Sequence, residues 1–407
     1  MQRSRISIFA LLFSLLMLAG AQRARAYTLF QVIPIFQLNE IADDNVGLTS
    51  THPQADLVTN ILAGIYADYR GPARDGHFEY ETIGEVFAKE SKDDNFGGTQ
   101  FFQMSDHEHL SQRTTLSMND WFLTGKIPSS LLTSGSVANA TPSLNAQIAL
   151  AILATIPSDS NLFAADLRHN FTEQWSDDLH VRQEFFSTAN TFSLLSTVGG
   201  HTDYFVLPRV AIGVGYDFYD FRFKDSPSPV DTQFPQLRVD WDITRQLEFE
   251  GLGGLLISSR PSGGSAEIRP GYEGAITYLS PHWRARLGGG QTPGITASGG
   301  AGLVRDASGD LAYMIDRRTT LFTGVSYYEM LGGQNPQNVF SYGGGASYRI
   351  NRWLVVYAQY VNLRESAATQ SGAIGPVSTS PASSQPITSN VFMIGASLSF
   401  EAFRSAL

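Results

Sequence analysis

The sequence predicts an all-β fold: a transmembrane antiparallel up-and-down β-barrel of about eighteen strands, with sixteen as the alternative count. Three observations carry this. Apolar and polar residues alternate with period two over long segments. Short and long connections take turns along the chain. Four of the five tryptophans sit beside the short connections.

The alternation is that of a strand with one apolar and one polar face. In 235–243, Leu237, Val239, Trp241 and Ile243 alternate with Gln236, Arg238, Asp240 and Asp242. In 267–278, Ile268, Tyr272, Ile276 and Tyr278 alternate with Glu267, Arg269, Glu273 and Thr277. In 77–88, Phe78, Tyr80 and Val86 alternate with His77, Glu79, Glu81 and Glu85. In 391–401, Phe392, Ile394, Ala396, Leu398 and Phe400 form the apolar set. Expected strands lie at 28–39, 56–68, 76–90, 99–110, 113–123, 162–174, 179–193, 197–206, 209–223, 233–243, 246–257, 266–279, 282–292, 308–316, 318–329, 338–350, 352–364 and 389–401. Those at 99–110, 197–206 and 308–316 have the poorest pattern, and they set the lower count.

The short connections are expected at 111–113, 176–178, 207–209, 244–245, 280–281, 316–318 and 351–352. The long ones, rich in Gly, Ser, Asp and Pro, are expected at 41–55, 91–98, 124–160, 224–232, 258–265, 293–308, 331–337 and 365–388. A membrane barrel needs tight turns at one rim and loops at the other. A soluble sandwich has no reason to sort loop length by parity. Trp175, Trp241, Trp283 and Trp353 flank short connections, where an aromatic girdle meets the lipid headgroups.

Length and composition agree. The chain has 407 residues, 43% apolar and 16% charged, with 38 glycines and no cysteine. That excludes a disulfide scaffold and a cysteine nucleophile. Mean hydropathy is −0.09 and one apolar run approaches spanning length, which argues against a polytopic helical protein. That run, Ile6 to Ala21, follows Arg3 and Arg5 and precedes Ala24-Arg25-Ala26. Residues 1–26 therefore read as a secretory signal peptide, leaving 27–407 as the barrel. Its removal takes four arginines away, so formal charge falls from −10 to −14. An acidic chain is a poor nucleic-acid partner. No further domain boundary or repeat is visible, and 365–388 reads as a surface loop.

The N-terminal third contains Phe36-Gln37-Leu38-Asn39, Asp43-Asp44-Asn45-Val46-Gly47-Leu48, Ala55-Asp56-Leu57-Val58-Thr59-Asn60 and Leu110-Ser111-Gln112-Arg113-Thr114-Thr115-Leu116-Ser117. Val206-Leu207-Pro208-Arg209-Val210 follows in the same style. This pattern resembles the outer-membrane barrel porins of the "beta-barrel porin 2" class, a group associated with exopolysaccharide secretion. The resemblance covers nearly the whole mature chain, through turn and strand signatures. It implies an outer-membrane channel for exopolysaccharide export or for small polar solutes. It also implies outer-membrane lipid, the barrel-insertion machinery and polysaccharide secretion components as partners.

Expected pore-lining residues are Glu79, Glu81, Glu85, Arg238, Asp240, Asp242, Glu248, Glu250, Arg269, Glu273, Arg284 and Arg286. Charge rings of this kind set selectivity where a channel narrows. They also read as a ladder of paired charges that solvates the wall. The segment 124–160 carries Ile148, Leu150 and Ile152 in an uncharged run, and is expected to fold inward and constrict the pore. His107 and His109 share a strand face without an identifiable third ligand, and Asp43-Asp44-Asn45 and Asp93-Asp94-Asn95 read as turns. No metal or cofactor site is expected. The sequence has no G-x-S-x-G elbow and no compact Ser/His arrangement, so an enzyme is not expected. A plugged surface barrel acting through its loops is the competing function.

Overall fold

A computed structural model describes residues 29–46, 53–89, 94–125, 158–188, 192–224, 230–259, 266–295, 301–331, 337–365, 387–399 and 403–406. All its regular elements among these are strands. They are β1 (Leu29–Asp43), β2 (Asp56–Arg70), β3 (Arg74–Phe87), β4 (Asn95–His109), β5 (Thr114–Gly125) and β6 (Ser158–Asn170). Then come β7 (Trp175–Thr188), β8 (Phe192–Leu207), β9 (Val210–Phe223), β10 (Val230–Asp242), β11 (Leu247–Ser258) and β12 (Glu267–Leu279). The last are β13 (Trp283–Ile295), β14 (Ala301–Met314), β15 (Thr319–Leu331), β16 (Gln337–Arg349), β17 (Leu354–Glu365), β18 (Ile387–Ser399) and the short β19 (Phe403–Ala406). From β1 to β18 each pairs antiparallel with the next, and β1 pairs with β18 and β19, closing the sheet.

The wall is therefore an eighteen-stranded closed barrel, because β19 continues β18 along the same edge of β1. Ile35 faces Ser399, while Val32 faces Phe403. The register slips by one residue between those points, as at a bulge. The C-terminal extension thus completes the seam that the lower end of β1 would otherwise leave open.

Closure follows from the alternation. With period-two side chains, one register settles which residues share a face. Val181, Val198, Val214, Leu237, Leu287, Val325 and Ile394 are all exposed on the outer face. The inner face carries the charged and amide side chains. This inside-out amphipathicity is the reverse of a water-soluble barrel. Polar pairs interrupt the outer face in places, as on β5 and β6, where Asn161 donates to Asp120 at 2.7 Å.

Three sequence expectations need correction. The turn expected at 176–178 lies inside β7, and the real turn is Phe171 to Gln174. Ser176 and Asp178 point inward, and Asp177 accepts a hydrogen bond from Thr202 at 2.7 Å on the outer face. Polar residues on a wet wall look like turn formers in sequence. The sorting of connections by length also fails once: β7 and β8 are joined by 189–191, as short as a turn. The connection expected at 293–308 is mostly strand, since β14 begins at Ala301.

The turn-side rim carries the aromatics. Trp175 packs edge-on against Tyr204 at 6.1 Å, and Trp283 tilts over Tyr313 at 4.2 Å. Both are directly opposed cross-strand pairs. Trp241 is exposed on the outer face, and Trp353 sits in its turn under the Arg352 guanidinium at 4.3 Å.

The turns themselves are held by short polar side chains. In the β14–β15 turn, the Arg318 and Thr319 amides both donate to Asp316 Oδ1 at 2.7 Å. These amides hold the Asp316 carboxyl below its ordinary range. Its contribution is then present above the usual carboxylate pKa and is lost as pH falls through the lowered value. Asp316→Asn should be slightly less stable than the parent at pH 7, and the gap should close on acidification. Thermal unfolding of the refolded protein between pH 7 and pH 3 checks this.

Candidate functional site

The candidate site is the inner wall. Register places all twelve expected lining residues on it. Glu79, Glu81 and Glu85 lie opposite Tyr66, Gly64 and Asn60 of β2. Arg238, Asp240 and Asp242 lie opposite Leu252, Glu250 and Glu248 of β11. Glu273 lies opposite Leu252 and Gly290. Arg286 lies between Thr277 and Asp310, with Arg284 one row nearer the turns. Arg269 is inward too, but at the loop end of β12, where it pairs with Glu267. The expected constriction residues Ile148, Leu150 and Ile152 lie outside the described residues, as does the segment 1–26.

The wall has two levels. On the loop side it is apolar: Ile83, Phe101, Leu123, Leu162, Phe186, Val339 and Leu363 belong to one buried cluster. On the turn side it is polar, and much of it is wet. Asp242, Glu248, Glu250, Arg182, Arg284 and Arg286 are exposed although they face inward. Inward charges keep their hydration only if water enters the turn-side lumen.

Around β2 and β3 the polar groups are tied to one another. Tyr66 donates to Glu81 at 3.0 Å. His77 Nδ1 stands 2.7 Å from Asp68 and its Nε2 is 3.6 Å from Glu79. Asn39 donates to Asn60 at 3.3 Å, and Tyr357 donates to Asn39. These glutamates are buried, so they form a supported ladder rather than a hydrated ring.

A second group, of which the sequence expectations held only Arg238, lies on β7 to β10. His180 Nε2 is 3.0 Å from Asp217 Oδ1, and His201 Nε2 is 3.2 Å from Asp203 Oδ2. Gln236 donates to Asp217 at 3.0 Å, and Arg238 Nη1 approaches His201 Nδ1 at 3.4 Å. The misplaced turn at 176–178 hid this group. With β7 starting at Trp175, Ser176, Asp178, His180, Arg182 and Glu184 form an unbroken polar face, the signal that would have found it.

The mouth is narrowed by strands. β8 and β13 stand five steps apart in the sheet, on the order of 24 Å along a flat wall. Yet their Cα atoms approach within 8 Å. Ile295 packs with Leu195 and Phe221, and Leu303 packs with Phe234 and Leu256. Ile295 and Leu303 share parity with the outward Leu287 and Leu311, whereas their partners face inward. The tips of β13 to β15 are therefore tucked inside the barrel, their outer side against the inner wall of β8 to β11. Gly289 and Gly290 lie at the bend. An added Cβ there would stand 2.5 Å from the Asp306 carbonyl oxygen and 2.6 Å from that of Tyr272.

No family model matches the chain, and no curated protein does. Among solved structures it is similar to Acinetobacter baumannii OccAB3, at 11% identity and TM-score 0.43, covering 91% of this chain and 99% of that one. For Pseudomonas aeruginosa OccK2 (OpdF) the values are 9%, 0.47, 92% and 98%. For the anion-selective porin from Comamonas acidovorans they are 10%, 0.40, 92% and 100%. The barrel assignment rests on the strand pairing above and not on these likenesses.

Proposed function

We propose that the chain is a bacterial outer-membrane porin that passes small polar solutes through a water-filled turn-side lumen. One observation carries this reading. The closed eighteen-stranded wall is apolar and exposed outside, and charged and exposed inside. An exterior with so much exposed aliphatic and aromatic surface needs lipid. A barrel of this strand number is wide enough for an aqueous channel. Outer-membrane lipid and the barrel-insertion machinery are the partners that such a barrel requires.

The inner wall is acidic on balance. Asp240, Asp242, Glu248, Glu250, Glu273 and Asp310 face the same stretch of lumen as Arg238, Arg284 and Arg286. The field there favours cations. Single-channel recording of the refolded protein in a planar bilayer, under a salt gradient, tests both points. Discrete steps with a cation-selective reversal potential are expected. Anion selectivity would overturn the charge reading while leaving the pore. Silence from a folded, heat-modifiable barrel would overturn the pore.

The tucked tips favour one second reading: a plugged barrel that acts through its surface loops. Export of an exopolysaccharide, with secretion components as partners, would need the tips to leave the lumen. The third-loop constriction carried by Ile148, Leu150 and Ile152 is a separate proposal, and deletion of 140–156 tests it by enlarging the steps.

A further inference from the structure

We propose that Asp178, His180 and His201 form a binding site for a divalent first-row transition ion, zinc being the probe of choice, on the turn-side inner wall. Among the described residues, this is the cluster of three metal-ligating side chains, each offering a donor atom within 4.8 Å of the other two. His180 Nδ1 stands 3.9 Å from Asp178 Oδ1. Donor atoms of a tetrahedral zinc site lie about 3.3 Å apart, so small side-chain rotations close the set. Two imidazoles and one carboxylate leave positions for water, the donor set and openness of an accessible ion site.

The support behind the ligands is the independent observation. A metal-binding histidine ordinarily has its second ring nitrogen held by a carboxylate, which fixes the ring. Both histidines here have that partner. Asp217 Oδ1 stands 3.0 Å from Nε2 of His180, and Asp203 Oδ2 stands 3.2 Å from Nε2 of His201, both at ion-pair distance. This leaves both Nδ1 atoms for the ion. Both carboxylates are buried, at 7% exposure each, and Asp203 Oδ1 and Asp217 Oδ1 are buried without a hydrogen-bond partner. The backbone makes room for them. A Cβ at Gly199 would lie 2.0 Å from Asp217 Oδ1 and 2.7 Å from His180 Nε2, and a Cβ at Gly213 would lie 2.0 Å from Asp203 Oδ1.

Arg238 is the competing cation, since its Nη1 approaches Nδ1 of His201 at 3.4 Å. His107 and His109 supply the contrast. Their rings also meet, at 5.0 Å, but Nδ1 of His107 is against Ser117 and that of His109 is against Thr115.

The test is calorimetric titration of zinc chloride into the refolded full-length protein in detergent, with folding of each variant checked by heat-modifiable gel mobility. One ion per chain is expected. His180→Gln and His201→Gln should each weaken binding by at least about tenfold, and Asp178→Asn should weaken it too. Gly213→Ala touches none of the three ligands but displaces the supporting Asp203 carboxylate, and should weaken binding by about tenfold. Arg238→Gln should tighten binding, and the His107→Ala/His109→Ala pair should leave it unchanged. Absence of zinc uptake by the folded parent overturns the site. So does affinity that survives in both histidine variants. The outcome is independent of whether the barrel conducts.

Discussion

Removing residues 400–407 is expected to abolish recovery of a folded barrel. Phe403 to Ala406 pair with Val32 to Leu29 and extend the seam beyond Ser399. Without them, the start of β1 keeps its pairing to β2 but loses its other partner strand. Its amides and carbonyls would then face lipid or the headgroup boundary without water to replace the lost bonds. Each such group costs several kcal/mol, on the order of 4 or more in hydrocarbon. An open edge also invites pairing between copies. The measurement is the fraction of chain that refolds into a heat-modifiable species in detergent or lipid. Truncation after Leu407's neighbour Ala406 serves as a control that leaves the seam intact. A folded, monodisperse barrel from the eight-residue deletion would show that the β18 pairing alone seals the wall.

Shortening the tucked hairpin should raise conductance several-fold. Thr292 and Val304 face each other across β13 and β14. Replacing 293–303 by Gly-Gly keeps this register and closes the hairpin with a two-residue turn. The deletion removes Ile295 and Leu303 from Leu195, Phe221, Phe234 and Leu256. The inner wall of β8 to β11 would then be bare, and the mouth would widen where the sheet is now double. Single-channel steps of the variant, set beside the parent, give the answer. Unchanged steps would place the resistance elsewhere, with the 140–156 segment the next target. The uncovered apolar residues carry a stability loss, so the refolded fraction must be read in the same experiment.

The strand count, the order and the sidedness were legible because they are local. Leu237, Val239 and Trp241 against Arg238, Asp240 and Asp242 state their faces without any partner. Trp175, Trp241, Trp283 and Trp353 marked the turn rim in the same local way. Errors arose where a polar inner face imitated a turn, at Ser176 to Asp178, and where a strand of small and charged residues imitated a loop, at 301–308.

The sequence by itself determined an inside-out barrel, because period two and one apolar face are properties of each segment alone. Only the tertiary structure decided what meets what. His180 comes beside His201 and Asp217 through the register of three strands, and that register depends on where β7 begins. Ile295 reaches Leu195 because the sheet folds back on itself, bringing together strands five steps apart. The chain's last residues close its first strand across the whole sequence. These pairings depend on distant partners and on the offset between strands. A slip of one residue would move every side chain to the other face. No single segment encodes that offset, so it became visible only in the closed barrel.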